Sequence, residues 1–122
     1  MPSLGKQGIL RGLGLMRMGG GMERAFKSFS DFYRFYLVEH SDVNCRRLHF
    51  AGSALVLCDV GWAMVSRDGW WLLLAPVLGY GFAWTGHFFF QKNRPATFRY
   101  PLWSLWGDWR MFWDILRGHL SI

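Results

Sequence analysis

Two apolar runs separated by three residues constrain this chain more than anything else in it. The first, residues 49–66 (HFAGSALVLCDVGWAMVS), carries one charge, Asp59. The second, Trp70 to Phe90, carries none. Arg67-Asp68-Gly69 lies between them and is too short for anything but an antiparallel helical hairpin. Each run is near the length a membrane-spanning helix needs, about 17–25 residues. Gly52 and Ser53 allow a second helix to come close. Pro76, Gly79 and Gly81 interrupt the second run, as membrane helices tolerate where they line a cavity. The fold expected is all-α: a small integral membrane protein with a hydrophobic hairpin and two amphipathic interfacial helices.

The flanking residues orient the hairpin. Arg46 and Arg47 precede the first run, and Lys92, Arg94 and Arg99 follow the second. The connecting turn holds one Arg and one Asp. By the positive-inside rule both ends face the cytoplasm, and a bacterial inner membrane is the expected location. The net charge of +6 suits an anionic membrane surface. Because the cations flank apolar runs and are not strung along one polar helix, nucleic acid is not the expected partner.

The amphipathic pieces lie outside the hairpin. Residues 23–39 place Phe26, Phe29, Phe32, Tyr33, Tyr36 and Leu37 three and four apart, as one helical face. His40 ends that helix, and Ser41, Asp42 and Asn44 are turn and capping residues. Residues 101–116 (PLWSLWGDWRMFWDIL) form a last helix with Pro101 in its first turn. Its four tryptophans suit an interface. Residues 1–21 are glycine-rich and basic and read as a disordered leader, with 22–122 as one membrane-embedded domain. Cys45 and Cys58 have no metal or redox spacing and read as free packing residues.

Antiparallel pairing puts the start of one run beside the end of the other. His40, His49 and His87 therefore meet at one end of the hairpin. Three converging imidazoles suit a metal such as iron, zinc, copper or nickel. Glu39, beside His40, is the nearest candidate carboxylate. Asp59 lies ten residues past His49, about 15 Å along a helix, and is too deep. The bland reading is that His49 and His87 hydrogen-bond polar groups between the helices. The cations at the same end can serve lipid headgroups and topology, or clamp a fatty carboxylate with Arg46, Arg47 and Arg94, Asn93 adding a hydrogen bond. An acyl tail would then lie along the apolar helices.

The strings EHSDVNCRRLHFAG and AWTGHFFFQKNRPATFRYPLWSLWGDWRMFWDIL closely resemble the short bacterial branch of the 2-hydroxy fatty acid dioxygenase family. Its fungal member acts in phytosphingosine breakdown. The resemblance covers residues 26–118. It implies an integral membrane enzyme that uses Fe(II) and O2 to shorten a 2-hydroxy fatty acid by one carbon. The family's histidines map to His40, His49 and His87. A glutamate often follows the Gly-His element in the family, where this chain has Gln91. The partners implied are a fatty acid or other lipid, O2 and the membrane, with room for a homo-oligomer. The rival reading is a non-enzymatic lipid-binding or scaffold protein with structural histidines.

Overall fold

The structure is a computed structural model that describes residues 15–18, 21–24 and 26–122. It divides into two compact units, Met1–Val38 and Glu39–Ile122, and the single domain expected from residue 22 spans that division. The expectation of a disordered leader over 1–21 falls largely outside the described residues. Within it, β1 (Leu15–Met18) pairs antiparallel with β2 (Gly21–Arg24), Met18 opposite Gly21. From residue 26 onward the described chain is helical, as expected, and this short ladder is an addition to that picture.

In the first unit, helix α1 spans Phe29–Val38, shorter than the expected 23–39. Ser28 sets its start: the Asp31 N–H donates to Ser28 Oγ and the Phe32 N–H to the Ser28 carbonyl. Residues 23 and 24 lie in β2 instead. The aromatic stripe forms as read, with Phe26 edge-on to Phe32 and Tyr33 stacked on Tyr36.

The second unit is built on the hairpin. Helix α2 spans Val43–Ser66. It starts six residues before the apolar run because Asp42 caps it, its carboxylate accepting from the N–H groups of Asn44 and Cys45. Arg46 and Arg47 thus lie in its first turns. The helix stops at Arg67, which adopts a left-handed conformation (φ 56°) while the Asp68 N–H reaches back to the Ala63 carbonyl. Asp68 then caps the next segment through the Trp70 N–H. The second run is not one uniform helix. It opens as a 3-10 turn (Gly69–Leu74), becomes helix α3 (Ala75–Thr85), and ends in a π-helical turn (Gly86–Gln91). Pro76 lies in the first turn of α3, where its missing N–H has no partner to lose.

Helices α2 and α3 touch backbone to side chain at Gly52. A Cβ there would stand 3.0 Å from both the Leu78 carbonyl oxygen and Phe82 Cβ. Helix α4 (Pro101–Leu116) joins them through Phe50 stacked on Phe112, ring centroids 4.8 Å apart. It turns Ser104, Gly107, Met111, Asp114 and Ile115 inward, while Leu102, Trp106 and Trp113 are exposed. Asp114 is buried and takes Arg110 as an i,i+4 partner at 3.3 Å.

Val43–Ser66 and Gly69–Gln91 are each long and apolar enough to cross a bilayer. Only 22% and 17% of their most apolar windows are buried. A core helix of a water-soluble protein would hide most of that surface. Here Leu57, Met64, Val65, Leu73, Val77 and Phe89 all face outward.

Candidate metal centre

His40, His49 and His87 come together as their spacing predicts. His40 stands in the turn before Asp42, His49 in the second turn of α2, and His87 in the π-helical turn. All three are buried. Their ring centroids are 4.4, 4.5 and 4.9 Å apart, each pair close to perpendicular. Cys45, also buried, completes a group whose ligand atoms all lie within 4.8 Å of one another. Such a group can hold a metal ion.

The neighbours decide which nitrogen each ring offers. His49 Nδ1 lies 3.0 Å from the Cys45 carbonyl oxygen. A carbonyl only accepts, so Nδ1 carries the proton and Nε2 presents a lone pair. Asn93 Nδ2 donates to the Glu39 carbonyl (3.0 Å) and to Glu39 Oε2 (2.7 Å). Asn93 Oδ1 must then face His87, 2.7 Å from Nδ1, which donates to it. His87 is left with Nε2 as its free nitrogen. His40 Nε2 lies 3.1 Å from His49 Nε2.

Three nitrogens of this kind fit a cation better than they fit one another. A neutral His40 has at most one Nε2 proton, and His49 and His87 each offer a lone pair. A metal ion satisfies both lone pairs at once. Two nitrogens bound to one ion at about 2.1 Å and at right angles stand about 3.0 Å apart, close to the observed separation of the His40 and His49 nitrogens. Imidazoles whose second nitrogen is held by a carbonyl or a carboxamide also match the usual outer support of metal-binding histidines.

Local sequence explains the convergence. At Gly86 a Cβ would stand 3.1 Å from Cys45 Cα, 3.2 Å from its Sγ and 3.3 Å from its carbonyl oxygen. Glycine therefore lets the π-helical turn lie against the start of α2. The turn closes with Lys92 in a left-handed conformation (φ 59°), and the N–H groups of Lys92 and Asn93 both reach the His87 carbonyl. That geometry folds Asn93 back onto its own histidine. Gln91 binds the other side: its Oε1 accepts from the Asp42 N–H (2.6 Å) and its Nε2 donates to Ser41 Oγ (2.8 Å).

Several expected site residues have other partners. Glu39 is not in the cluster; its carboxylate accepts from Asn93 and reaches His87 only through that side chain. Asn93, expected at a substrate, holds His87 and Glu39. Arg46 is committed to main-chain carbonyls, those of His40 (3.0 Å), Ser41 (2.8 Å) and Ser121 (3.1 Å). Arg47 is exposed, with a long 3.4 Å contact to Asn44 Oδ1, and Arg94 is exposed too. The cysteines are free, as expected, but only Cys58 is peripheral. Cys45 is part of the cluster, not a packing residue alone; the signal missed in the sequence is its i,i+4 spacing to His49, which puts both on one helix face.

A cavity of about 310 Å³ opens against His49 and extends between α2, α3 and α4. Residues 26–120 match the family model described as 2-hydroxy-palmitic acid dioxygenase Mpo1-like. No curated protein and no solved structure matches the chain.

Proposed function

Because the chain belongs to the family of 2-hydroxy-palmitic acid dioxygenase Mpo1-like proteins, we infer that it is a membrane-embedded Fe(II)-dependent dioxygenase acting on a 2-hydroxy fatty acid. The observation that carries the reading is the convergence of His40, His49 and His87, with the second nitrogens of His49 and His87 held by Cys45 and Asn93. Two of the three imidazoles match the histidines of the two-histidine, one-carboxylate ligand set of non-haem Fe(II) oxygenases, and the third stands where that set has its carboxylate.

The reaction breaks the C1–C2 bond. C1 leaves as carbon dioxide, C2 becomes the new carboxyl carbon, and O2 is reduced, with one water formed. Bound Fe(II) would supply the redox chemistry for oxygen and the Lewis acidity for the hydroxy acid. The chain's own residues supply placement. His40, His49 and His87 would hold the ion. Asn93 and Glu39 keep His87 from rotating or exchanging tautomers, and the Cys45 carbonyl does the same for His49. Arg47 and Arg94, exposed at the polar end of the hairpin, attract the substrate carboxylate. Arg46 acts indirectly, by holding the His40 turn.

The two apolar helices cross the bilayer, and the cations on either side of the hairpin keep its open end in the cytoplasm. The outward tryptophans of α4 suit the bilayer interface.

The test is reconstitution of detergent-purified protein with Fe(II) under anaerobic conditions, followed by 2-hydroxypalmitate and O2. One iron per chain, oxygen uptake and an acid one carbon shorter are expected, all lost in His87→Ala. Folded protein that takes up iron and consumes no oxygen would refute the oxidation.

A further inference from the structure

The cavity beside His49 has a shape that the metal centre alone does not need. From His49 it follows α2 past Ser53 to Val56, and it follows α3 from Ala83 past Gly79 to Ala75. Seven steps along α2 and eight along α3, at about 1.5 Å each, correspond to a slot about 10–12 Å long. Small side chains leave the space: Gly79, Ala83, Ala75 and Ser53 form much of the wall, and Trp109 of α4 flanks it. A volume of about 310 Å³ holds about ten methylenes, if each takes about the volume of a water molecule, roughly 30 Å³.

An apolar slot of this size does not hold ordered water well, and hydrocarbon fills it favourably. One end is His49, whose ring belongs to the histidine cluster. A fatty acid is therefore favoured with its head at the histidines and its tail in the slot.

We propose that this cavity is the acyl subsite, that it holds about the first ten carbons of a free 2-hydroxy fatty acid, and that the remainder of a longer chain leaves it for the bilayer. The proposal rests on the functional reading above for the identity of the head group. Referred to acid already dissolved in the bilayer, affinity then rises with each methylene that gains close contacts in the slot, and levels off for longer acids, whose further methylenes stay in lipid as apolar as the slot. Chain-length preference lies with Gly79 and Ala83, where a larger side chain shortens the slot. At Gly79 a Cβ would stand 3.5 Å from Val56 Cγ2, an ordinary contact, so a first carbon fits and further carbons enter the space.

Binding is read on metal-free protein in lipid nanodiscs, by quenching of Trp109 with a 2-hydroxy acid brominated in mid-chain. Trp109→Phe identifies the Trp109 share of the signal. A graded series of unlabelled 2-hydroxy acids, used as competitors with their concentrations referred to the lipid phase, gives the length profile. The expected result is a rise and a plateau in the native chain. Gly79→Leu and Ala83→Leu each move the plateau about three to four carbons shorter, the volume of the added side chain. Gly61→Leu leaves it in place, because nothing lies within 4 Å of that glycine. The acyl chain could also come from membrane phospholipid. In discs of brominated phospholipid, quenching of Trp109 that saturating acid does not relieve overturns the proposal. So does an unshifted profile in both folded leucine variants. Since no metal is present, failure of the oxygen chemistry leaves this result untouched. Turnover with an unshifted profile removes the subsite alone.

Discussion

Asn93 stands 2.7 Å from His87, and its carboxamide can face only one way, because Glu39 takes both of its protons. The orientation of His87 is thus set from residue 39, outside the hairpin. Asn93→Ala is expected to lower metal affinity about 10–100-fold, the usual effect of losing an outer partner of a metal-binding histidine. Metal titration of the folded variant checks this. Affinity within twofold of the native chain would show that the ring is held by other means.

Gly86→Ala should damage the centre although Gly86 itself offers no ligand atom. The added Cβ meets Cys45 backbone atoms at 3.1 and 3.3 Å, and backbone does not yield as a side-chain tip does. A cost of about 1–3 kcal/mol is expected, together with weaker metal binding as His87 is displaced. Trimming the thiol with Cys45→Ala should restore little of it. Thermal unfolding and metal content of the single and double variants decide.

Arg46 and Arg47 are adjacent and should behave differently. Arg46→Ala removes three bonds to carbonyls, two of them in the turn that carries His40. A loss of about 2 kcal/mol or more is expected, at about 1 kcal/mol per bond less what water recovers, with a parallel loss of metal affinity. Arg47→Ala should fall within about 0.5 kcal/mol of the native chain, as exposed substitutions usually do. Its effect should appear in the KM for the hydroxy acid. Equal destabilisation by both variants would contradict the assignment.

Gln91→Glu should retain metal. The partners of Gln91 are the Asp42 N–H and the Ser41 hydroxyl, and both can donate to a carboxylate. Gln91→Leu loses both bonds and should lower stability by about 1–3 kcal/mol. Metal analysis and thermal melts of the pair give the answer. Loss of metal in Gln91→Glu with the fold intact would place that side chain at the ion.

Metal removal should lower the melting temperature of the native chain and leave that of His87→Ala unchanged. At free metal about a hundredfold above its dissociation constant, binding stabilises by about 2.7 kcal/mol. A chelator titration followed by melting measures it.

The helices and the meeting of three histidines were legible because both follow from coarse pattern. Apolar run length gives the hairpin, and antiparallel pairing puts residue 49 beside residue 87. Helix starts were less legible: Asp42 moves the beginning of α2 six residues ahead of its apolar run, and Ser28 delays α1. The roles of Glu39, Asn93 and Cys45 depend on a π-helical turn, and a single apolar run carries no mark of where its winding widens. That turn folds Asn93 onto His87, and Asn93 then takes the Glu39 carboxylate. The inward face of α4 was also hidden, since Ser104, Gly107 and Asp114 turn in while Trp106 and Trp113 turn out, the reverse of the pattern in water.

The three rings come from positions 40, 49 and 87. During synthesis a nascent chain carries two of them long before the third emerges from the ribosome. An ion held by all three rings would be captured fully only once most of the polypeptide exists, which would put loading with metal late in the protein's biogenesis.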